Sequence, residues 1–134
     1  MTYGRLTLRA GLLVAAAAML GCGDSPGEVT AGLAVVSLAS PFTDGAILVR
    51  LTGPGFGTPQ VAGSGAVVHW RQVSETEIVV AVFGAVSTGT LFRVEVPNLR
   101  KIERYQATVL QVADRNDAER SDLSAHVVQV ATAE

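Results

Sequence analysis

From residue 33 onward, hydrophobic and polar residues alternate in short runs separated by glycine, proline, asparagine, aspartate and serine. Successive side chains on a strand point to opposite faces of a sheet, so this alternation predicts β-strands. The predicted strands are Leu33 to Leu38, Ala46 to Thr52, Ala66 to Arg71, Glu77 to Phe83, Thr90 to Val96, Ala107 to Ala113 and His126 to Ala131, with a short extra strand near Gln60 to Ala62. Seven to eight short strands predict an all-β fold, a single β-sandwich of immunoglobulin-like or jelly-roll type.

The same alternation predicts which side chains are buried. In Thr90 to Val96, the residues Phe92, Val94 and Val96 share one face and are expected to point into the core. Trp70 and Phe83 are likewise expected to be core residues.

The first 21 residues have the composition of an export signal. Arg5 and Arg9 precede an unbroken run of small and apolar residues, Ala10 to Leu20. A run of this length is too short to cross a bilayer, which takes about 20 residues. Residues 1–21 are therefore predicted to be a signal peptide that is removed.

The signal ends in Met19-Leu20-Gly21-Cys22, which resembles the lipobox of bacterial lipoproteins. The resemblance implies that the thiol of Cys22 is acylated and that residues 22–32 form a flexible tether from a bilayer. It also places residues 33–134 in the cell envelope, outside the cytoplasm, with the choice of inner or outer membrane left open. The alternative is a plain secreted protein whose cysteine lies near an ordinary cleavage site.

Length and charge limit the remaining possibilities. Removal of 21 residues from 134 leaves 113, enough for one domain with a core of its own. Eight basic residues then face twelve acidic ones, a formal charge of −4. Nucleic acid is not expected as a partner, because its binding depends on basic surface.

Three segments resemble parts of the cohesin-like β-sandwich modules of bacterial extracellular proteins. They are Asp44-Gly45-Ala46-Ile47-Leu48-Val49, Gly89-Thr90-Leu91-Phe92-Arg93-Val94-Glu95-Val96, and Ala107 to Asp114 before a closing strand. The resemblance spans about Val36 to Val130. It implies a sandwich that binds another protein or a glycan through a sheet face.

The sequence lacks the spacings that catalysis requires. Gly63-Ser64-Gly65 is not a nucleophile elbow, because that motif needs glycines two residues either side of the serine. His69 and His126 have no neighbours at metal or triad spacing, and a strand histidine is the expected role of each. The chain is therefore predicted not to be an enzyme and to carry no cofactor or metal.

Two loops remain as candidate binding elements. The acidic connection Asp114 to Asp122 lacks the residues of an EF-hand at several positions, so a solvated loop is expected and calcium binding is left open. Phe56 and Tyr105 are the aromatic side chains expected to be exposed, and stacking on such rings is a common way to bind sugars.

Two functions follow from these patterns. The favoured one is a non-catalytic adhesion or protein-interaction module of a membrane-anchored envelope lipoprotein. The alternative is a lipoprotein that captures a glycan or small solute through Phe56 and Tyr105.

Overall fold

The computed structural model describes residues 30–63 and 65–133. Eight strands and one 3₁₀ helix (Leu99–Arg104) account for most of this region. The strands are β1 (Gly32–Ala39), β2 (Asp44–Thr52), β3 (Pro59–Val61), β4 (Val67–Ser74), β5 (Glu77–Val86), β6 (Gly89–Val96), β7 (Gln106–Ala113) and β8 (Val127–Thr132). The prediction of an all-β sandwich is confirmed for the described residues, and β1 begins at the last residue of the segment predicted as tether.

The strands form two four-stranded sheets that pack as a single sandwich. The first sheet has the order β3-β6-β1-β8 and the second has the order β4-β5-β2-β7. All neighbouring strands are antiparallel. The edges of the second sheet are therefore β4 and β7, while β5 and β2 are interior strands.

The core lies between the inner faces of the two sheets. As the alternation predicts, Phe92, Val94 and Val96 are buried there. Burial of a large apolar side chain stabilises a fold by about 1.5–3 kcal/mol. The other buried apolar residues are Ala34, Val36, Leu38, Ile47, Val49, Leu51, Ile78, Val80, Val82, Val86, Leu91, Tyr105 and Val112.

Two connections lie at the same end of the sandwich. The loop from Gly53 to Thr58 joins β2 to β3, as its glycines and prolines predict. The 3₁₀ helix fills the connection between β6 and β7, and the side chain of Asn98 caps it by accepting a hydrogen bond from the Arg100 N–H at 3.1 Å. The N–H of Leu99 donates to the Thr30 carbonyl at 2.7 Å, so this helix is fastened to the start of the described domain.

Candidate functional site

The second sheet has one face turned away from the core, and part of it is apolar. Cross-strand pairing aligns outward-facing residues of β4, β5, β2 and β7 in rows across this face. Seven apolar residues lie side by side at the end of the face where β4 begins; these residues, here called the apolar face, are Val67, Phe83, Ala46, Ala113, Ala81, Leu48 and Val79. The sequence signal for this surface is that β5 is apolar on both of its faces.

Two side chains of the apolar face are exposed to solvent. Val67 is 51% exposed and Phe83 is 44% exposed. The expectation that Phe83 is a core residue is wrong, because its neighbour Val82 points inward and Phe83 therefore points outward. Two shallow depressions of about 230 and 340 Å³ lie on the face, one between Phe83 and Leu48 and the other between Leu48 and His69. This shape is broad rather than deep.

Charged side chains border the apolar face on one side. Arg71 on β4 and Arg50 on β2 lie in the same row as Val79. The Nε of Arg50 is 2.8 Å from a carboxylate oxygen of Glu77. Arg71 is exposed and, among residues 30–63 and 65–133, has no carboxylate within 4.0 Å. The face thus ends in an uncompensated positive charge.

Trp70 lies on β4. Its side chain points in the predicted direction but is more exposed than predicted. It is paired with Val80, which is fully buried, so Trp70 lies on the core side of the sheet as the alternation predicts. It is nevertheless 42% exposed, and the expectation that it is a core anchor is wrong. Trp70 is exposed because it lies on an edge strand. The edge strand of the opposite sheet, β3, has three residues against eight in β4, so it can cover only part of β4.

Phe56 and Tyr105, the predicted ligand-binding residues, are in contact with each other. Their rings meet edge to face with centroids 5.4 Å apart. Tyr105 is 5% exposed, and its hydroxyl donates a hydrogen bond of 2.7 Å to the Gly55 carbonyl. Burial raises the pKa of the Tyr105 phenol. The expectation that Tyr105 is exposed is wrong, because it packs into the core at the end of the sandwich.

Phe56 borders a groove at the end of the sandwich. This groove has a volume of about 620 Å³ and is open to solvent. Glu95, Pro97 and the backbone of Gly55 and Gly57 also line it. Of the predicted pair, Phe56 is therefore the residue that a ligand in this groove would meet.

A buried polar cluster at the other end of the sandwich is not predicted by the sequence. Asp44 is fully buried, and its two carboxylate oxygens accept hydrogen bonds from Arg120 Nε at 2.6 Å and from His126 Nε2 at 2.7 Å. Phe42 stacks on the His126 ring with centroids 5.8 Å apart, and the Arg120 guanidinium lies 4.1 Å from the Phe42 centroid. A buried carboxylate needs such partners, because an unpaired charge in the interior is strongly unfavourable.

This cluster joins three separate parts of the chain. Asp44 opens β2, Arg120 belongs to the acidic connection, and His126 immediately precedes β8. The His126 Nδ1 is buried and has no hydrogen-bond partner among the described residues. Because the polar groups of Asp44, Arg120 and His126 are directed at one another, the cluster has the geometry of a structural link between loops.

The acidic connection uses its carboxylates to shape its own turns. Asp114 Oδ1 accepts the N–H groups of Ala118 and Asn116 at 3.0 and 2.8 Å, and these bonds hold the pKa of Asp114 below its ordinary value. Asp122 caps the Ser124 N–H at 2.9 Å in the same way. In the described part of the chain no three His, Cys, Asp or Glu residues are grouped so that they could hold a metal ion.

Several predicted elements lie outside the described residues or carry no site. The signal peptide, Cys22 and most of the tether precede residue 30, and Ser64 also lies outside the described residues. His69 is exposed on β4, with its ring 5.9 Å from that of Phe83. No helix in residues 30–63 and 65–133 has the length and hydropathy needed to cross a membrane.

Comparison of the chain with models of known families, with curated proteins and with solved structures found no match.

Proposed function

We propose that this chain is a non-catalytic interaction module of the bacterial cell envelope, held at a membrane by acylated Cys22, that binds a partner protein through the apolar face of its second sheet. The observation that carries the proposal is the group of seven adjacent apolar residues, with Val67 and Phe83 about half exposed. Contiguous exposed apolar surface on a folded domain marks a place where another surface binds.

The shape of the apolar face favours a protein over a small ligand. Small-molecule sites are concave and enclose most of the ligand, whereas protein interfaces are broad, with an apolar centre and a polar rim. The apolar face is broad, and Arg71, His69 and the Arg50–Glu77 ion pair stand at its border. The resemblance to cohesin-like modules likewise implies binding of a protein or a glycan through a sheet face.

A matched pair of substitutions tests the apolar face. Val67 and Val127 each begin a strand and are 51% and 49% exposed, but Val127 lies on β8 of the other sheet. The tagged full chain is crosslinked in the native envelope, and proteins retained by Val67→Glu and by Val127→Glu are compared. We expect Val67→Glu to reduce retention of a specific partner at least tenfold, about 1.4 kcal/mol, while Val127→Glu retains it.

Two results would contradict the proposed use of this face. Equal retention of the partner by both variants would show that the apolar face is not the binding surface. Turnover of an envelope polymer by the purified chain would contradict the proposal that the chain is non-catalytic.

The membrane anchor is tested separately. Cys22→Ser removes the acylated atom, and stable anchoring by acyl chains depends on buried CH₂ groups at about 0.8 kcal/mol each. We expect the wild-type chain to partition into the detergent phase and Cys22→Ser into the aqueous phase. Equal partition of the two proteins would overturn the lipid anchor.

The groove beside Phe56 supports a second candidate, the capture of a glycan. It offers about 620 Å³ of space with the Phe56 ring and the Glu95 carboxylate on its wall. An aromatic face and a carboxylate are groups that bind sugar C–H surface and hydroxyls. Retardation in a gel containing envelope polysaccharide, abolished by Phe56→Ala, would support this candidate, and unchanged migration of both proteins would exclude it.

A further inference from the structure

The free edge of β4 is the longest exposed strand edge of the second sheet. β4 has eight residues and, among the described strands, pairs only with β5. Every residue of β4 except Val68 is exposed. A strand at a sheet edge presents unpaired N–H and C=O groups to which another strand can hydrogen-bond.

The other sheet edges are shorter or partly occupied. β3 has three residues and β8 has six. On β7, Ala113 forms a bridge with Glu119, and the Arg120 N–H donates to the Val112 carbonyl at 2.8 Å. The acidic connection therefore covers one end of the β7 edge, and β4 remains as the edge best suited to accept a strand.

Exposed edges in monomeric proteins usually carry protection, such as proline, several charges or an inward-pointing lysine. The sequence of β4, VVHWRQVS, contains no proline, lysine or acidic residue, and Arg71 is its one permanent charge. A bulge, another form of protection, is confined to its end, where the register with β5 shifts between Gln72 and Ser74. Trp70 and Val73 are about half exposed on this strand. An edge with so little protection is the edge expected of a docking site.

The side chains of β4 define what an added strand must carry. Val68 and Trp70 lie on the core side, whereas His69 and Arg71 lie on the outer face. Directly opposed residues of neighbouring strands share a face, so apolar residues of an added strand would lie beside Trp70 and its alternate residues beside Arg71. Because Arg71 has no carboxylate partner in the described region, an acidic residue fits that position.

We propose that β4 binds an extended segment of the partner protein in which apolar and acidic residues alternate, and that this segment adds to the second sheet as a fifth strand. This inference rests on the proposed function and names the partner's binding element. Main-chain hydrogen bonds give such strand addition its affinity, and alternate side chains give its specificity.

The test uses the full chain in mild detergent and synthetic eight-residue peptides. Trp70 is the sole tryptophan, so its fluorescence reports on events at this edge. We expect saturable binding of a peptide that alternates valine with glutamate, with at least tenfold weaker binding of a peptide that alternates valine with lysine. Arg71→Glu should reverse that preference, and the control Arg100→Glu, an exposed residue of the 3₁₀ helix, should retain it.

Backbone methylation separates strand addition from binding by side chains alone. In an extended peptide, the N–H groups of all residues on one face point to the same side of the strand. One peptide is therefore N-methylated at its valines and another at its glutamates. We expect one methylated peptide to lose binding and the other to retain it.

Each of the following results would overturn the inference. If both methylated peptides bind like the parent, the peptide does not add as a strand, and if the parent does not bind, β4 is not its site. A Trp70 change that depends on chain concentration without peptide would assign the edge to a second copy. Because the Val67→Glu experiment uses no peptide, partner loss in that variant together with peptide failure would overturn strand addition and leave the proposed function standing.

Discussion

Replacement of Asp44 by alanine is expected to destabilise the domain severely, because Asp44 is the shared acceptor of the buried polar cluster. The change leaves His126 Nε2 and Arg120 Nε without the partners that they have at 2.7 and 2.6 Å. Removal of one partner from a buried ion pair costs about 3–5 kcal/mol. The Arg120 side chain is 26% exposed and can turn towards water, so we expect the lower end of that range, about 3 kcal/mol.

Urea denaturation of the full chain in detergent measures this loss. For a domain of this size, about 3 kcal/mol corresponds to a fall in Tm of at least about 12 °C. The control is Glu103→Ala, an exposed carboxylate of the 3₁₀ helix, which should change the free energy of unfolding by less than about 0.5 kcal/mol. In the double variant Asp44→Ala/Arg120→Ala, the loss should be smaller than the sum of the two single losses. If Asp44→Ala costs no more than Glu103→Ala, the cluster does not hold the loops together.

Three further predictions concern the core, one tyrosine and one glycine. Phe92→Ala deletes the largest fully buried side chain among the described residues and should cost about 3–5 kcal/mol by urea denaturation, whereas Thr90→Ala at the exposed start of the same strand should cost under about 1 kcal/mol. The raised pKa of Tyr105 means that the unfolded chain loses this proton first, so stability should hold below about pH 10 and fall above it. In a chain produced from Cys22 onward, which lacks Tyr3, Tyr105 is the one tyrosine, and absorbance titration should show a midpoint above 10.0. A midpoint at or below that value would contradict the burial of Tyr105. Gly84 has φ +123°, and a Cβ there would lie 2.7 Å from the Gly65 carbonyl oxygen, so Gly84→Ala should cost about 1–3 kcal/mol, whereas Gly63→Ala, where a Cβ meets nothing within 4 Å, should cost far less.

The strands are predictable from the sequence because alternation over several residues reports directly on a pleated, half-buried backbone. It also gives the direction of each side chain, as Phe92 and Val94 show. It does not report whether a face is covered. Trp70 points towards the core but stays 42% exposed on a strand that faces the short β3, and Phe83 belongs to a face that no described element covers. Coverage depends on the lateral order of strands, which is a property of the whole sheet.

The buried cluster is beyond local prediction for a different reason. Asp44 and His126 are 82 residues apart, and Asp44 and Arg120 are 76 apart. In the sequence, Asp44-Gly45 has the form of an ordinary turn, and Arg120 is one of several charges in an acidic loop. Only the pairing of β2 with β7 and of β1 with β8 brings these loops to the same end of the sandwich.

The course of β1 separates the start of the described domain from the most exposed row of the apolar face. The Thr30 carbonyl is bound to the 3₁₀ helix, and β1 runs from this end to Ala39, beside which β2 starts at Asp44. If Cys22 is acylated, the end with Thr30 is the end tied to the lipid, since a fully extended chain of the eight residues up to Thr30 spans at most about 28 Å. The row of Val67, Phe83 and Ala46 lies at the far end, about one strand length or 30 Å further out. In a chain anchored in this way, this row lies at most about 60 Å from the membrane, at the end of the domain opposite to the tether.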